Sequence, residues 1–215
     1  MMEPTLAVEN LNFRYAKNLP LVIKNFSYDF PSGAAIALTG QSGCGKSTLL
    51  YLCGLLLNPS SGQIWLNHEN TTLLNDQERS RRRNQNIGFV FQNAELDAHQ
   101  TILTSVIEPA YYAGSAGIDS RRRAMKLLEI FGVSELANSK PTQISGGQAA
   151  RAALARAFLL DPPIILADEP TGNLDPKNTK IVLDSLLGAA RENKTIIIAT
   201  HDPRVIEQCD LTVQL

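Results

Sequence analysis

The stretch Gly40 to Ser47, GQSGCGKS, matches G-x-x-x-x-G-K-[ST] at every fixed position. An apolar, uncharged run, AAIALTG at 34–40, precedes it and reads as a strand in the middle of a sheet. KSTLLYLCGLLL follows at 46–57 and reads as a buried helix, stopped by Asn58-Pro59. A strand, a glycine-rich loop and a helix in this order make a cradle for phosphate. Glycines let backbone N–H groups wrap closely around anionic oxygens. The first turn of the helix points its positive dipole end at the same place. Lys46 adds a mobile cation for β- and γ-phosphates, and the Ser47 hydroxyl suits Mg²⁺. Gly40, Gln41, Ser42, Gly43, Cys44, Gly45, Lys46, Ser47 and Thr48 are therefore candidate nucleotide contacts. A chance glycine-rich turn is the competing reading, and the flanking strand and helix weigh against it.

Outward from this loop the chain alternates strands and helices. LAVENLNFRY and LVIKNFSYDF read as short N-terminal strands, and PSG at 31–33 as a turn. GQIWL and NIGFVF look like further strands. From about Asn93 to Leu160 the pattern turns helical. Ala124, Leu127, Leu128 and Phe131 recur at helical spacing, with Gly132 at the C-terminal cap and Asp119 or Ser120 as the start. Strands return in IILA at 164–167 and TIIIAT at 195–200, separated by a helix after Pro176, and LTVQL adds a last short one. This order predicts an α/β fold with a mostly parallel sheet. The expected division is a nucleotide-binding core, 1–92 and 161–215, with a helical subdomain, 93–160, inserted into it.

Composition sets limits. The 215 residues suit one sizeable domain, or a core with an inserted lobe. Hydrophobic residues make up 44% and charged residues 19%, as in ordinary globular proteins. A net charge of -1 gives no footprint for nucleic acid or anionic lipid. The arginines at 79, 81, 82 and 83 and at 121–123 read as two solvated faces. Three cysteines without metal-ligand spacing suggest a reducing compartment. The N-terminus lacks the charged start and apolar core of a secretory leader, and no apolar run approaches the ~20 residues that span a bilayer. A soluble chain is expected, reaching a membrane only through a partner.

Two further stretches carry chemistry. In LADEPTGNLD, 166–175, Asp168 closes an apolar strand, where an acid needs a partner. Mg²⁺ in a nucleotide site supplies one. Glu169 beside it could orient or deprotonate an attacking water, or could be a surface acid at a strand end. QISGGQAARAALARAF, 143–158, sets Ser145, Gly146, Gly147 and Gln148 at the start of an alanine-rich helix, a second anion cradle. One ATP does not need two cradles in one chain.

Together these motifs resemble the ATP-binding cassette (ABC) family of transporter subunits, over nearly the whole chain. Residues 40–48 resemble the Walker A loop and 164–169 the Walker B strand. ISGGQ at 144–148 is similar to the signature LSGGQ, with Ile144 for Leu. Gln92 resembles the Q-loop glutamine, NLD at 173–175 with Asp175 the D-loop, His201 in ATHDP the H-loop histidine, and Tyr15 the aromatic that stacks on adenine. The resemblance implies that two copies meet head to tail, each ATP lying between one chain's Walker A and the other's signature. It implies Glu169 as general base, His201 at the γ-phosphate, Asp168, Ser47 and Gln92 at Mg²⁺, and a relay from Gln92 to membrane permeases encoded separately. It places the chain on the cytoplasmic face of the membrane. Read alone, His201 could equally be a strand-end histidine with an ordinary hydrogen bond, and Tyr15 could equally be a half-buried strand aromatic.

DEPTGNLD is similar to the group of lipoprotein-release, macrolide-export (MacB-like) and cell-division (FtsE-like) ATPases. Ala149-Ala150 depart from the polar residues usual after the signature, and 93–112, the segment that would face the permease, matches loosely. The expected role is an ATP-hydrolysing export subunit. Its rivals are an ABC importer subunit, a soluble ABC ATPase of DNA repair or translation, and a small-molecule P-loop kinase. Neither the coiled-coil heptads of repair types nor the paired cassettes of translation types occur here.

Overall fold

The computed structural model describes residues 4–215. The N-terminal reading that touches Met1 to Glu3 lies outside the described residues. Two sheets form. β1 (Pro4–Phe13), β2 (Ile23–Pro31), β4 (Ser61–Leu66) and β5 (Glu69–Asn70) make an antiparallel sheet in the order β2-β1-β4-β5. β3 (Ala35–Thr39), β6 (Ile87–Val90), β7 (Ile164–Asp168), β8 (Thr195–Ala199) and β9 (Leu211–Gln214) make a parallel sheet in the order β6-β7-β8-β3-β9.

The inner parallel strands β3, β7 and β8 are mostly apolar and buried because both their faces are covered, whereas the edge strand β9 is largely exposed. Successive side chains alternate between two cores. From β7, Ile165 and Ala167 join one core while Ile164 and Leu166 join the other. From β8, Ile196 and Ile198 face one side, and Ile197 and Ala199 the other. The first core lies under α3 (Ile102–Tyr112), α4 (Ile118–Ile130), α5 (Gly146–Phe158) and α6 (Pro176–Arg191). The second lies between the parallel sheet, α1 (Lys46–Cys53) and the antiparallel sheet, and includes Leu6, Phe30, Ile36, Leu49 and Leu52. Each fully buried side chain of this size stabilises the fold by ~1.5–3 kcal/mol relative to exposure.

Several local expectations are corrected. α1 ends at Cys53 and does not run on to Leu57: Gly54 caps it and Leu55 turns left-handed at φ 56°. α2 (Asp76–Asn86) was not legible as a helix, having no apolar stripe; its start is a capping box between Asn75 and Glu78. Its arginines are not all solvated. Arg79 is 11% exposed, and Arg83 donates to the Leu55 carbonyl at 2.9 Å. The arginines of 121–123 are exposed as expected. Residues 93–101 form no helix; the helical pattern starts at α3, which Thr101 caps. The cap of α4 is Gly117, not Asp119 or Ser120, and the Ser120 hydroxyl accepts from the Gly117 N–H at 2.8 Å.

Gly88 in β6 shows how closely the layers meet. A Cβ there would stand 2.3 Å from the Ala157 carbonyl oxygen of α5 and 2.7 Å from Ile165. Gly88→Ala is expected to destabilise the fold by about 1–3 kcal/mol through overpacking. Gly188→Ala in α6, where a Cβ meets nothing within 4 Å, should instead stabilise it by about 0.5–1 kcal/mol. Urea unfolding of the two variants checks both signs.

Candidate functional site

Parallel strands deliver their carboxyl ends to one edge, and a cleft of about 700 Å³ opens there. Tyr15, Gly40 to Gly43, Gly45 to Thr48, Gln92, Glu169 and His201 line it. The loop after β3 takes three left-handed turns, at Gly40 (φ 144°), Gly43 (φ 78°) and Gly45 (φ 109°), which other residues reach only with strain. A Cβ on Gly40 would also fall 2.7 Å from the Cys44 sulfur. The half-buried thiol of Cys44 therefore lies against Gly40 and is not among the groups that line the cleft. Lys46 Nζ donates to the carbonyls of Gly40 at 3.0 Å and Gln41 at 3.1 Å, which holds its charge across the loop.

Asp168 is 5% exposed and both its oxygens are engaged. Ser47 Oγ donates to Oδ1 at 2.9 Å, and Tyr51 Oη donates to Oδ2 at 2.9 Å. Burial, and then the hydrogen bond to Asp168, push the Tyr51 phenol up to about 12, so it remains a donor. Tyr51 was missed from sequence. Its signal was there: it lies one helical turn after Ser47, on the same face of α1.

Glu169 stands just past β7 at φ 43°, a left-handed conformation uncommon outside glycine. Its N–H donates to the Ala199 carbonyl at 2.9 Å. Thr200 Oγ1 donates to Oε2 at 3.3 Å, and His201 Nδ1 lies 2.6 Å from Oε1. Nδ1 faces a carboxylate oxygen that only accepts, so this ring nitrogen carries a proton in the contact. The His201 side chain is 76% exposed. Tyr15 lies beyond the end of β1, is 60% exposed, and its hydroxyl meets Thr48 Oγ1 at 2.8 Å. It is thus no half-buried strand aromatic. Its ring meets Phe13 edge-on at 4.9 Å.

Ser145, Gly146, Gly147 and Gln148 do not line this cleft. Ser145 caps α5, accepting from the Gln148 N–H at 3.3 Å, while Gln148 Oε1 accepts from the Ser145 N–H at 2.8 Å. Ser145 and Gly146 are exposed. A Cβ on Gly147 would fall 2.4 Å from the Asn178 amide, and Asn178 in turn bonds Asp175, the cap of α6. The backbone N–H of Asn178 is the main cause that lowers the Asp175 carboxyl below the usual range. The signature turn and the D-loop are thus neighbours.

Sequence reasoning also missed Arg156. This mostly buried guanidinium donates to the carbonyls of Ala94 at 2.7 Å and Glu95 at 2.6 Å. Those two residues follow Gln92 and take φ of 61° and 47°. An arginine inside an apolar helix was the only hint. Beside it, α2, β6, α3 and α5 border a groove of about 330 Å³, lined by Leu56, Phe89, Phe91, Pro109 and Tyr112 among others.

The family model described as ABC transporter matches residues 23–172. The chain belongs to this family. It is an ATP-binding, ATP-hydrolysing cassette. The ABC cassette is 40% identical over 218 residues to the lipoprotein-releasing system ATP-binding protein LolD of Treponema pallidum, covering 100% of this chain and 96% of that one. It is 37% identical to the macrolide export ATP-binding/permease protein MacB of Bartonella quintana, covering 99% of this chain but 33% of that longer protein. Among solved structures, the dimeric ATP-binding cassette MJ0796 in a post-hydrolysis state with ADP and Pi superposes with a TM-score of 0.90 at 33% identity. That superposition covers 98% of this chain and 94% of that one.

The three thiols of the cassette should differ in reactivity. Cys53 is buried and pushed up to about 12, and burial raises Cys209 to about 11. At pH 8 only about one in 10⁴ and one in 10³ of them, respectively, are thiolate, and the fraction grows about tenfold per pH unit until the pKa is reached. Iodoacetamide at pH 8 is expected to modify Cys44 first, Cys209 slowly and Cys53 least. Peptide mass spectrometry reads the order, and modification of Cys209 ahead of Cys44 would contradict it.

Proposed function

We propose that this cassette powers an export-type complex of the lipoprotein-release or macrolide-export kind, working as a MgATP-bound dimer beneath separately encoded permeases. One observation carries the two-chain reading: Ser145 to Gln148 form an anion-ready helix start that is exposed and stands outside the cleft holding Lys46. A second copy, placed head to tail, brings that turn over the phosphates. The relatives support the direction of work, since LolD and MacB are named for release and export. Among the described residues no helix is long and apolar enough to cross a membrane. The chain then reaches the cytoplasmic membrane surface through the permease, with the groove beside Phe89 and Phe91 as the contact.

In this reading ATP is the substrate. Tyr15 stacks on the adenine. The backbone N–H groups of 41–48 and Lys46 hold the phosphates and offset the charge that develops in the transition state. The donors at the end of β7 suit Mg²⁺: one carboxylate oxygen of Asp168 and the Ser47 hydroxyl converge, with Gln92 across the cleft. Mg²⁺ takes one or two carboxylates together with waters and phosphates, and so needs no all-protein cage. Held by Asp168, Ser47 and Gln92, such an ion would help to neutralise charge on the phosphates. Glu169, fixed by Thr200 and His201, orients and deprotonates the attacking water. His201 presents its other ring nitrogen toward the γ-phosphate. Asp175 and the signature residues belong to the dimer contact. Residues 93–160 act as the lobe that carries the signature, and 1–92 with 161–215 as the core that holds the nucleotide.

The two acids should separate on substitution. Asp168→Asn is expected to weaken MgATP binding. Glu169→Gln should keep binding, slow hydrolysis by ~10² or more, and accumulate an ATP-bound dimer visible by small-angle scattering. Near-normal turnover of Glu169→Gln would remove Glu169 from the base role.

A mixed dimer tests the composite site. In a dimer of one Lys46→Ala chain and one Ser145→Arg chain, both defects fall on one ATP if sites form across chains. The other ATP then meets an intact loop and an intact signature. The purified mixed dimer is expected to hold one ATP tightly where neither homodimer does; occupancy no better than in the homodimers contradicts the composite site.

A further inference from the structure

Two side chains one turn apart on α1 hold the two oxygens of a single acid. Ser47 takes Oδ1 of Asp168 and Tyr51 takes Oδ2, each at 2.9 Å. Their tasks differ. Ser47 belongs to the phosphate loop and is itself a candidate for the metal. Tyr51 is not part of that loop: its phenol takes the other oxygen of the carboxylate.

The ring that carries this hydroxyl is held on its other side. Tyr51 lies 6.1 Å from Phe89 and 6.4 Å from Phe91, ring centre to ring centre, at tilts of 51° and 54°. Phe89 and Phe91 stack on each other at 4.8 Å and 11°. A half-buried phenol packed against this stacked pair has little freedom to swing. A carboxylate with one oxygen so fixed cannot rotate about its last bond, and its other oxygen is aimed at Ser47.

We propose that Tyr51 is a positioning residue for the metal-holding acid: by occupying Oδ2 it presents Oδ1 of Asp168 toward Ser47 and the metal bound with ATP. The inference rests on the MgATP reading above. Removing the hydroxyl leaves a buried carboxylate with one donor fewer and free to turn. The metal then gains less from the site, while contacts to the nucleotide's other atoms are untouched. Loss of an outer partner of this kind weakens metal binding by about 10-fold or more.

The test uses the full chain and calorimetric titration of ATP, once with excess Mg²⁺ and once with excess EDTA. The dissociation constant in EDTA divided by that in Mg²⁺ isolates what the metal adds. Tyr51→Phe keeps the ring against the Phe89–Phe91 pair and removes only the hydroxyl. Its affinity in EDTA should equal that of the wild type, and its ratio should fall by about 10-fold. Paramagnetic resonance of Mn²⁺ at saturating ATP should show the same loss of metal affinity without any turnover. Tyr51→His, which restores a donor on a ring, serves if Tyr51→Phe does not fold; its ratio should lie between wild type and a Tyr51→Leu chain lacking both ring and donor. An unchanged or larger ratio in Tyr51→Phe overturns the inference, as does an equal loss of affinity with and without metal, which marks a merely structural role. If the wild type itself binds no ATP, the MgATP reading falls and takes this one with it. If the wild type binds ATP more tightly with Mg²⁺ and Tyr51→Phe does so equally, only the role of Tyr51 falls.

Discussion

A parallel sheet sends every strand's carboxyl end to the same edge, and this constraint organises the molecule. Gln92 lies two residues past β6, Asp168 closes β7, Glu169 follows it, and His201 lies two residues past β8. The phosphate loop leaves β3 at the same edge. Four separate segments, far apart in sequence, thus meet without any one of them being long. The sheet can impose this only because both its faces are dry. Leu166 and Ile197 on one side, and Ile165 and Ile198 on the other, are wholly buried. The strands are therefore rigid rails for the groups at their tips.

Charge at such an edge has to be managed, and the chain does so by giving each acid a different setting. Asp168 is nearly buried and meets two hydroxyl donors. Glu169, its neighbour, is turned out by a left-handed backbone angle and meets Thr200 and an exposed imidazole. Side chains of adjacent residues on a strand point to opposite faces. Breaking the strand conformation at Glu169 is what allows two consecutive carboxylates to serve one cleft. The strain at that residue is thus tied to the arrangement of the site.

Much of this was legible in the sequence, for physical reasons. The loop at 40–47 is legible because close approach of backbone to phosphate restricts residue type at fixed spacing. The buried strands are legible because a two-faced sheet demands uninterrupted apolar runs. α2 was hidden because its stability comes from a cap and from arginines that lie along neighbouring segments, not from an apolar stripe. The start of α4 was misread because glycine with a serine three residues later closes the turn without a side-chain cap at the first position. Tyr51 and Arg156 were hidden for a different reason. Each acts on a group brought near only by the fold: Tyr51 on an acid 117 residues away, and Arg156 on carbonyls about 60 residues back in the chain.

Arg156 gives the cassette a mechanical property. It sits eleven positions after Ser145 on one unbroken helix, which is about 16 Å of rigid rod. Near its far end the rod donates to the carbonyls of Ala94 and Glu95, two residues with positive φ. The helix that starts at the signature thus makes direct contact with the segment leaving Gln92. Under the proposed composite site, the nucleotide held by one protomer pulls on the rod of the other. The molecule then behaves as a pair of crossed levers, each with its handle in the neighbour's hand.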